Sequence, residues 1–294
     1  ALDSDDIEKE RGITILSAQA SITFKGTRIN IVDTPGHADF GGQVERVLGT
    51  VDGVLLIVDA WDGPMAQTRF VTKKALARGL KPIVVINKID RDGCDPQGAL
   101  DKVFDLFCDL DANEEQLNFP YMFACGRAGT CRKEMPEEDQ DLVPLLEMIL
   151  ECIEPPHGDI ENDPLLQISS LQYSEFLGRL AVGRLEMGSI KVGQTLNQSR
   201  PDGSFKKIRL QKIMRYEGIE LKEVPTAHFG DIVSLAGISD FDIGDTLSHA
   251  DRPKAYERIA IDPPTLSMNF SINDSPLCGQ SGGKFLTGNH LEDR

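Results

Sequence analysis

The sequence predicts a multidomain chain: an α/β domain over residues 1–155, an all-β domain over 160–261, and the opening of a third unit over 262–294. Three observations carry this reading. In the first half, short apolar runs alternate with stripes of apolar residues at helical spacing, the pattern of a mostly parallel sheet with helices on both faces. After Pro155-Pro156-His157-Gly158 the helical stripes stop. Short alternating strands follow, separated by Gly178, Gly183, Gly188, Gly193, Gly203, Gly218, Gly230, Gly237 and Gly244, as in a β-barrel or sandwich. Past Asp262-Pro263-Pro264 a strand from Thr265 to Ile272 and a polar loop begin a unit that cannot bury a core with these parts alone.

Taken in order, Ser21 to Phe24 and Arg28 to Val32 read as strands of a hairpin turning at Lys25-Gly26-Thr27. Phe40, Val44, Val47, Leu48 and Val51 recur at helical spacing, so residues 38–51 are expected to form an amphipathic helix. Val54 to Val58 is continuously apolar, as is a strand covered on both faces. Met65 to Arg78 reads as a helix closed by Gly79, and Pro82 to Ile86 as a second buried strand. A helical stripe through Leu100, Val103, Phe104, Phe107 and Leu110 precedes a strand from Phe119 to Ala124; Leu142, Leu145, Leu146, Ile149 and Ile153 form another. The acidic stretch from Glu134 to Asp141 is expected to be a solvated loop and helix start.

Composition bounds the function. The 294 residues are 40% hydrophobic and 27% charged, enough for two cores, and the formal net charge is −16. Such an acidic chain does not coat nucleic acid non-specifically, so any RNA contact must be local and DNA is not an expected partner. The six cysteines, Cys94, Cys108, Cys125, Cys131, Cys152 and Cys278, show no C-x-x-C pair, and the five histidines are scattered. Reduced thiols are expected rather than a disulfide framework or a zinc site. With neither a run of 18 apolar residues nor a basic-apolar leader, the expectation is a cytoplasmic protein with no membrane partner. Ala1 at the start, followed at once by an acidic run, reads as a chain entered partway through.

Three strings carry chemistry. Asp33-Thr34-Pro35-Gly36-His37 follows the apolar run Ile29 to Val32 and places a carboxylate and a glycine N–H at a strand's C-terminal end, where open α/β sheets bind ligands. Asp33 offers a hard oxygen to Mg²⁺, through water, and Gly36 allows close backbone approach to a phosphate. His37 is placed to orient an attacking water. Arg11-Gly12-Ile13-Thr14 can offer a threonine hydroxyl to Mg²⁺ and an N–H to a terminal phosphate. Asn87-Lys88-Ile89-Asp90, delivered by the second buried strand, suits guanine: the Asp90 carboxylate accepts from the ring N1–H and the exocyclic amine, which adenine cannot match. Each string alone is equally an ordinary turn or cap; their order along the chain is what points to one site.

On these residues the chain resembles the translational GTPases. The run from Asp3 to Thr14 is similar to their switch I and Asp33 to His37 to their switch II. His37 to Val47, Asp62 to Phe70 and Ser275 to Gly279 look closest to the BipA/TypA group; elongation factor G and ribosomal-protection proteins usually differ just after the histidine. The resemblance spans essentially the whole chain. It implies a P-loop-GTPase-like G domain, a translation-factor β-barrel and the truncated start of an α+β ferredoxin-like domain. It also implies GTP or GDP and Mg²⁺ as cofactors and the ribosome as partner, through rRNA at the factor-binding site, with a monomeric chain. By motif position, Thr14 and Asp33 would meet Mg²⁺, Thr14 and Gly36 the γ-phosphate, and Asn87, Lys88 and Asp90 the guanine. His37 would position the attacking water when the ribosome docks, and Cys125-Gly126 would take the place of the usual Ser-Ala behind the base.

One departure weighs on activity. No G-x-x-x-x-G-K-[ST] string precedes the switch motifs, and Gly279-Gln280-Ser281-Gly282-Gly283-Lys284-Phe285 has the wrong spacing and no hydroxyl residue. That loop and its lysine supply most of the anchoring for the α and β phosphates. Two readings follow: a ribosome-dependent GTPase hydrolysing GTP to GDP and phosphate, or a ribosome- or RNA-binding module that holds nucleotide weakly or not at all. The first is expected of the gene product and the second of this polypeptide.

Overall fold

The computed structural model describes residues 10, 14, 17–35, 41–135, 140–174, 177–200, 202–238, 240–256, 268–269, 271–272 and 276. The chain divides into two compact units, Ala1–Ala260 and Ile261–Arg294. In the first unit a hairpin, β1 (Ala18–Phe24) and β2 (Thr27–Asp33), precedes helix α1 (Gly41–Leu48). Strands and helices then alternate: β3 (Val54–Asp59), α2 (Ala66–Ala77), β4 (Pro82–Asn87), α3 (Pro96–Asp109), α4 (Glu114–Leu117), β5 (Tyr121–Cys125), β6 (Thr130–Arg132) and α5 (Val143–Cys152).

Strands β3, β4 and β5 pair in parallel and β6 adds an antiparallel edge, giving the order β3-β4-β5-β6. The β4 sequence Pro-Ile-Val-Val-Ile is buried throughout, because its two faces meet different helices. Val84 and Ile86 pack with Leu56, Val58 and Phe123 against Leu76 of α2 and Val103 and Phe107 of α3. Val85 points the other way and packs with Met122, Ala124 and Cys131, against which Leu145 and Met148 of α5 lie. The period-2 alternation of a strand thus feeds two cores. Each fully buried Val, Ile, Met or Phe in these cores is worth about 1.5–3 kcal/mol of transfer free energy. The N-terminus of α3 is closed by Asp95, which accepts the Gly98 N–H at 2.9 Å, with Pro96 in the first turn.

The second half is all β: β7 (Leu165–Ser174), β8 (Gly178–Met187), β9 (Ser189–Lys191), β10 (Thr195–Ser199), β11 (Phe205–Arg209), β12 (Lys212–Glu217), β13 (Glu220–Val224), β14 (Thr226–His228), β15 (Ile232–Ala236) and β16 (Thr246–His249). Eight strands form an antiparallel sheet in the order β11-β10-β16-β7-β8-β15-β12-β13, and β9 pairs with β14. All ten strands send a side chain into one core, from Leu166 on β7 through Ile213 on β12 to Leu247 on β16. One eight-stranded sheet wrapped on a shared core agrees with the expected barrel. At the β7–β8 bulge the backbones approach so closely that a Cβ on Gly183 would lie 2.3 Å from the Gln167 carbonyl oxygen. Only glycine fits there.

The hairpin differs from expectation. The alternation of strands and helices suggested that β2 joins the same sheet as β4, but among the described residues β1 and β2 pair only with each other as strands. The hairpin docks on the barrel instead. The Ser21 N–H donates to the Gly218 carbonyl at 2.9 Å, Ser21 Oγ donates to the Tyr216 carbonyl at 2.8 Å, and Asn30 Nδ2 donates to the Gly230 carbonyl at 3.3 Å. Apolar patterning specifies which face of a strand is buried, not which strand lies beside it. β3 correspondingly leaves Leu55 and Ile57 exposed. A second tie joins barrel and α/β domain: the buried Arg184 on β8 donates from Nη2 to Asp52 at 2.7 Å and from Nη1 to the Thr50 carbonyl at 3.3 Å.

The strand expected over residues 265–272 lies mainly outside the described residues. Met268, Asn269, Ser271 and Ile272, which are described, are not in a strand. The expected ferredoxin-like start of a third domain lies outside the described residues as well. Two short elements had not been anticipated, α4 and β6. A four-residue helix held by the Asn113–Gln116 capping box, and a three-residue strand, are too short to show periodicity.

Candidate nucleotide-binding site

The parallel register aligns Asp59 at the end of β3 with Asn87 at the end of β4, and Asn87 with Ala124 near the end of β5. Three strand ends therefore deliver their loops to one edge, as open α/β sheets do where they bind ligands. Asn87 reaches across this edge: its Oδ1 accepts the Gly126 N–H at 2.9 Å. The two loops named from sequence, Asn87 to Asp90 and Cys125-Gly126, are thereby tied together. A cavity of about 460 Å³ opens beside that tie, lined by Ile89, Asp90, Cys125, Arg127, Ala128 and Arg132.

Asp90 is exposed and lines the cavity. Cys125 lies buried in the wall, and its thiol is free. Lys88 takes a left-handed backbone conformation, φ 64°, and its ammonium bonds Asp59, Nζ to Oδ2 at 2.8 Å. Asp59 also accepts the Trp61 N–H at 2.7 Å through Oδ1. The Lys88 hydrogen bond, reinforced by that of Trp61, holds the Asp59 carboxyl below the ordinary aspartate range.

Thr14 and Asp33 are both half-buried, Asp33 at the C-terminal end of β2 opposite Ala18. Gly36 and His37 lie outside the described residues. Of the residues named from sequence, the structure brings together Asn87, Asp90, Cys125 and Gly126, with Lys88 at their border. It adds Arg127 and Arg132 as lining residues and Asp59 as the partner of Lys88. Nothing in the strings pointed to the arginines. Asp59 was legible only as the polar residue ending the apolar run Val54 to Val58, a position parallel to Asn87.

A cavity that carries the Asp90 carboxylate suits a purine with donors on its Watson–Crick edge. For a metal, no group of three or more His, Cys, Asp or Glu that could cage an ion occurs among the described residues. The donors that sequence supplies, a threonine hydroxyl and the Asp33 carboxylate, are hard oxygens of the kind that suit Mg²⁺, an ion that keeps several waters and takes the rest from phosphate.

The elongation factor Tu GTP binding domain matches residues 1–155, more than half of the chain. The chain belongs to that family. Elongation factor Tu domain 2 matches residues 178–248, within the barrel. The resemblance to the BipA/TypA group is borne out by full-length relatives. The Large ribosomal subunit assembly factor BipA of Synechocystis is 51% identical over 294 residues, covering 100% of this chain and 49% of that protein. The Bacillus subtilis protein of the same name is 45% identical over 294 residues, covering 100% and 48%. The chain thus spans about half the length of the curated relatives it matches.

Solved structures agree on the fold. A bacterial selenocysteine-specific elongation factor superposes with a TM-score of 0.65 at 23% identity, over 84% of this chain and 40% of that one. Elongation factor SelB of Methanococcus maripaludis, in complex with the GTP analogue GppNHp, gives 0.64 at 22%, over 81% and 50%. The expected G domain followed by a β-barrel is thus observed, and among the described residues no helix is long and apolar enough to cross a membrane.

Proposed function

We propose that this chain carries the guanine-recognising part of a ribosome-associated translational GTPase of the BipA/TypA type, which hydrolyses GTP to GDP and phosphate by in-line attack of water. The supporting observation is the joined edge: Asn87 holding the Gly126 loop beside a cavity that Asp90 lines. The relatives named as ribosomal subunit assembly factors favour the ribosome as partner. Contact through rRNA, a monomeric state and a cytoplasmic location are part of the same proposal.

In this reading Asp90 accepts the guanine N1–H and amine, and Asn87 fixes the loop whose backbone meets the base oxygen. The Lys88 stem lies along the base plane. Thr14 and Asp33 would hold Mg²⁺, the latter through water, and the ion would supply charge neutralisation at the phosphates. Thr14 and Gly36 meet the γ-phosphate through backbone N–H groups. His37 orients the attacking water. The domain division follows the same reading: G domain to about residue 155, barrel from 160 to 261, third domain from 262.

Within residues 1–294 no Gly-rich phosphate loop with its lysine occurs, so this polypeptide is expected to bind nucleotide weakly. Each charge-assisted hydrogen bond lost is worth roughly 1.5–3 kcal/mol. Competition of GDP, GTP and ATP for a fluorescent GDP analogue tests the reading: guanine nucleotides displace the probe and ATP does not. Equal displacement by ATP would refute it.

A further inference from the structure

The Asp59–Lys88 pair crosses the sheet edge. Lys88 follows β4 and Asp59 ends β3, the neighbouring parallel strand, so an ammonium 2.8 Å from Asp59 Oδ2 stretches the four-carbon stem from one strand end to the next. Neighbouring strands lie about 4.8 Å apart, a distance that stem spans when extended. The left-handed backbone at Lys88 is costly for a residue with a Cβ and persists only where surroundings hold it. The surroundings do so. The Ala60 N–H donates to the Asn87 carbonyl at 2.8 Å and the Asp95 N–H to the Ala60 carbonyl at 3.1 Å, locking the β3 and β4 loops together.

Asp59 is itself held. Its Oδ1 accepts the Trp61 N–H, and the Trp61 ring packs so closely on Gly93 that a Cβ there would lie 2.7 Å from it. The Arg91 guanidinium stacks 4.8 Å from the Trp61 ring centroid and lies 3.9 Å from both Asp59 and Asp62. Asp59 is thus largely buried in a fixed frame, with a side chain 15% exposed, whereas Lys88 is 60% exposed and would otherwise sample many rotamers.

We propose that Asp59 is a positioning residue for guanine recognition: it anchors the Lys88 ammonium at the end of β3 so that the Lys88 stem forms a fixed ledge for the purine plane beside Asp90. This rests on the guanine-site reading above and goes beyond it, because the family motif covers Asn87, Lys88 and Asp90 but not Asp59. An unanchored Lys88 must be ordered when the base binds, and immobilising one such side chain lowers affinity about fivefold.

The test is a titration of the 294-residue chain with a fluorescent GDP analogue, for the parent, Asp59→Ala, Lys88→Met and the double variant, with GDP and IDP as competitors. Asp59→Asn, which keeps an acceptor for Trp61, replaces Asp59→Ala should the latter not fold. Expected are a loss of about fivefold in the Asp59 variant, no further loss when Lys88 is already methionine, and an unchanged preference for GDP over IDP. IDP lacks the amine that Asp90 accepts, so that preference reports Asp90 alone. Unchanged affinity in the Asp59 variant, an equal loss in both backgrounds, or a reduced GDP preference would overturn the proposal. Absence of saturable binding by the folded parent chain would instead overturn the guanine-site reading, and the proposal with it.

Discussion

Asn87 Oδ1 accepts the Gly126 N–H at 2.9 Å, joining the loop after β4 to the loop after β5 at the rim of the cavity that Asp90 lines. Asn87→Ala removes the acceptor. The Gly126 N–H then turns to water, so stability falls by only about 1 kcal/mol, while guanine affinity drops about tenfold because the loop must be ordered on binding. Urea unfolding and analogue titration separate the two. Gly126→Ala is nearly neutral: its Cβ would stand 3.3 Å from Asn87 Oδ1, a contact that a slight side-chain rotation relieves.

Asp90→Asn converts an acceptor pair into one donor and one acceptor. Guanine then faces a donor opposite its amine, whereas xanthine, with an oxygen at that position, finds a partner. Competition with GDP and XDP should show GDP weakened by more than tenfold and XDP strengthened.

The barrel is tied to the α/β domain by Arg184, whose side chain is 8% exposed and bonds Asp52 and the Thr50 carbonyl. Arg184→Met keeps the bulk and loses both bonds, lowering stability by about 1–3 kcal/mol in urea unfolding. The loss grows with pH. Burial pushes the Glu186 carboxyl up while Arg184, 3.9 Å away, draws it down. A folded-state value above the unfolded one means that stability from this group is complete below the ordinary glutamate range, near pH 4, and declines as pH rises through the raised value. Without Arg184 the rise is larger, so the variant is most nearly parental in acid.

Asp59 has the opposite sign. Its folded-state value is depressed by Lys88, so its contribution is complete above the ordinary aspartate value near 3.9 and is lost as pH falls through the depressed one. Unfolding midpoints of the parent and Asp59→Asn should differ at pH 6 and approach one another as pH falls through the depressed value. A gap of the same size at every pH would mean that the Lys88 pair contributes nothing.

Much of this was legible in sequence where the physics is local. The run Pro82 to Ile86 declares a strand covered on both faces, and the structure gives it two cores. The stripe Leu100, Val103, Phe104, Phe107 and Leu110 declares the helix that became α3. The Asn87 to Asp90 string meets Cys125-Gly126, the position that the resemblance pointed to. What could not be read is long-range. Ser21 bonds Tyr216 and Asn30 bonds Gly230 across about two hundred residues, and no periodicity in either segment encodes the partner. The Arg184–Asp52 and Lys88–Asp59 pairs are likewise products of topology, since a lone charge in sequence most often marks a solvated surface.

The most direct test of the account is titration of the folded 294-residue chain with a fluorescent GDP analogue under competition by GDP, GTP and ATP. The account predicts saturable binding weaker than low micromolar, displaced by both guanine nucleotides and untouched by ATP, because the Asn87–Asp90 edge is present and no phosphate cradle accompanies it. Displacement by ATP as effective as by GTP, or no binding by a chain shown to be folded, would contradict the guanine site; nanomolar affinity would contradict the weight placed on the cradle.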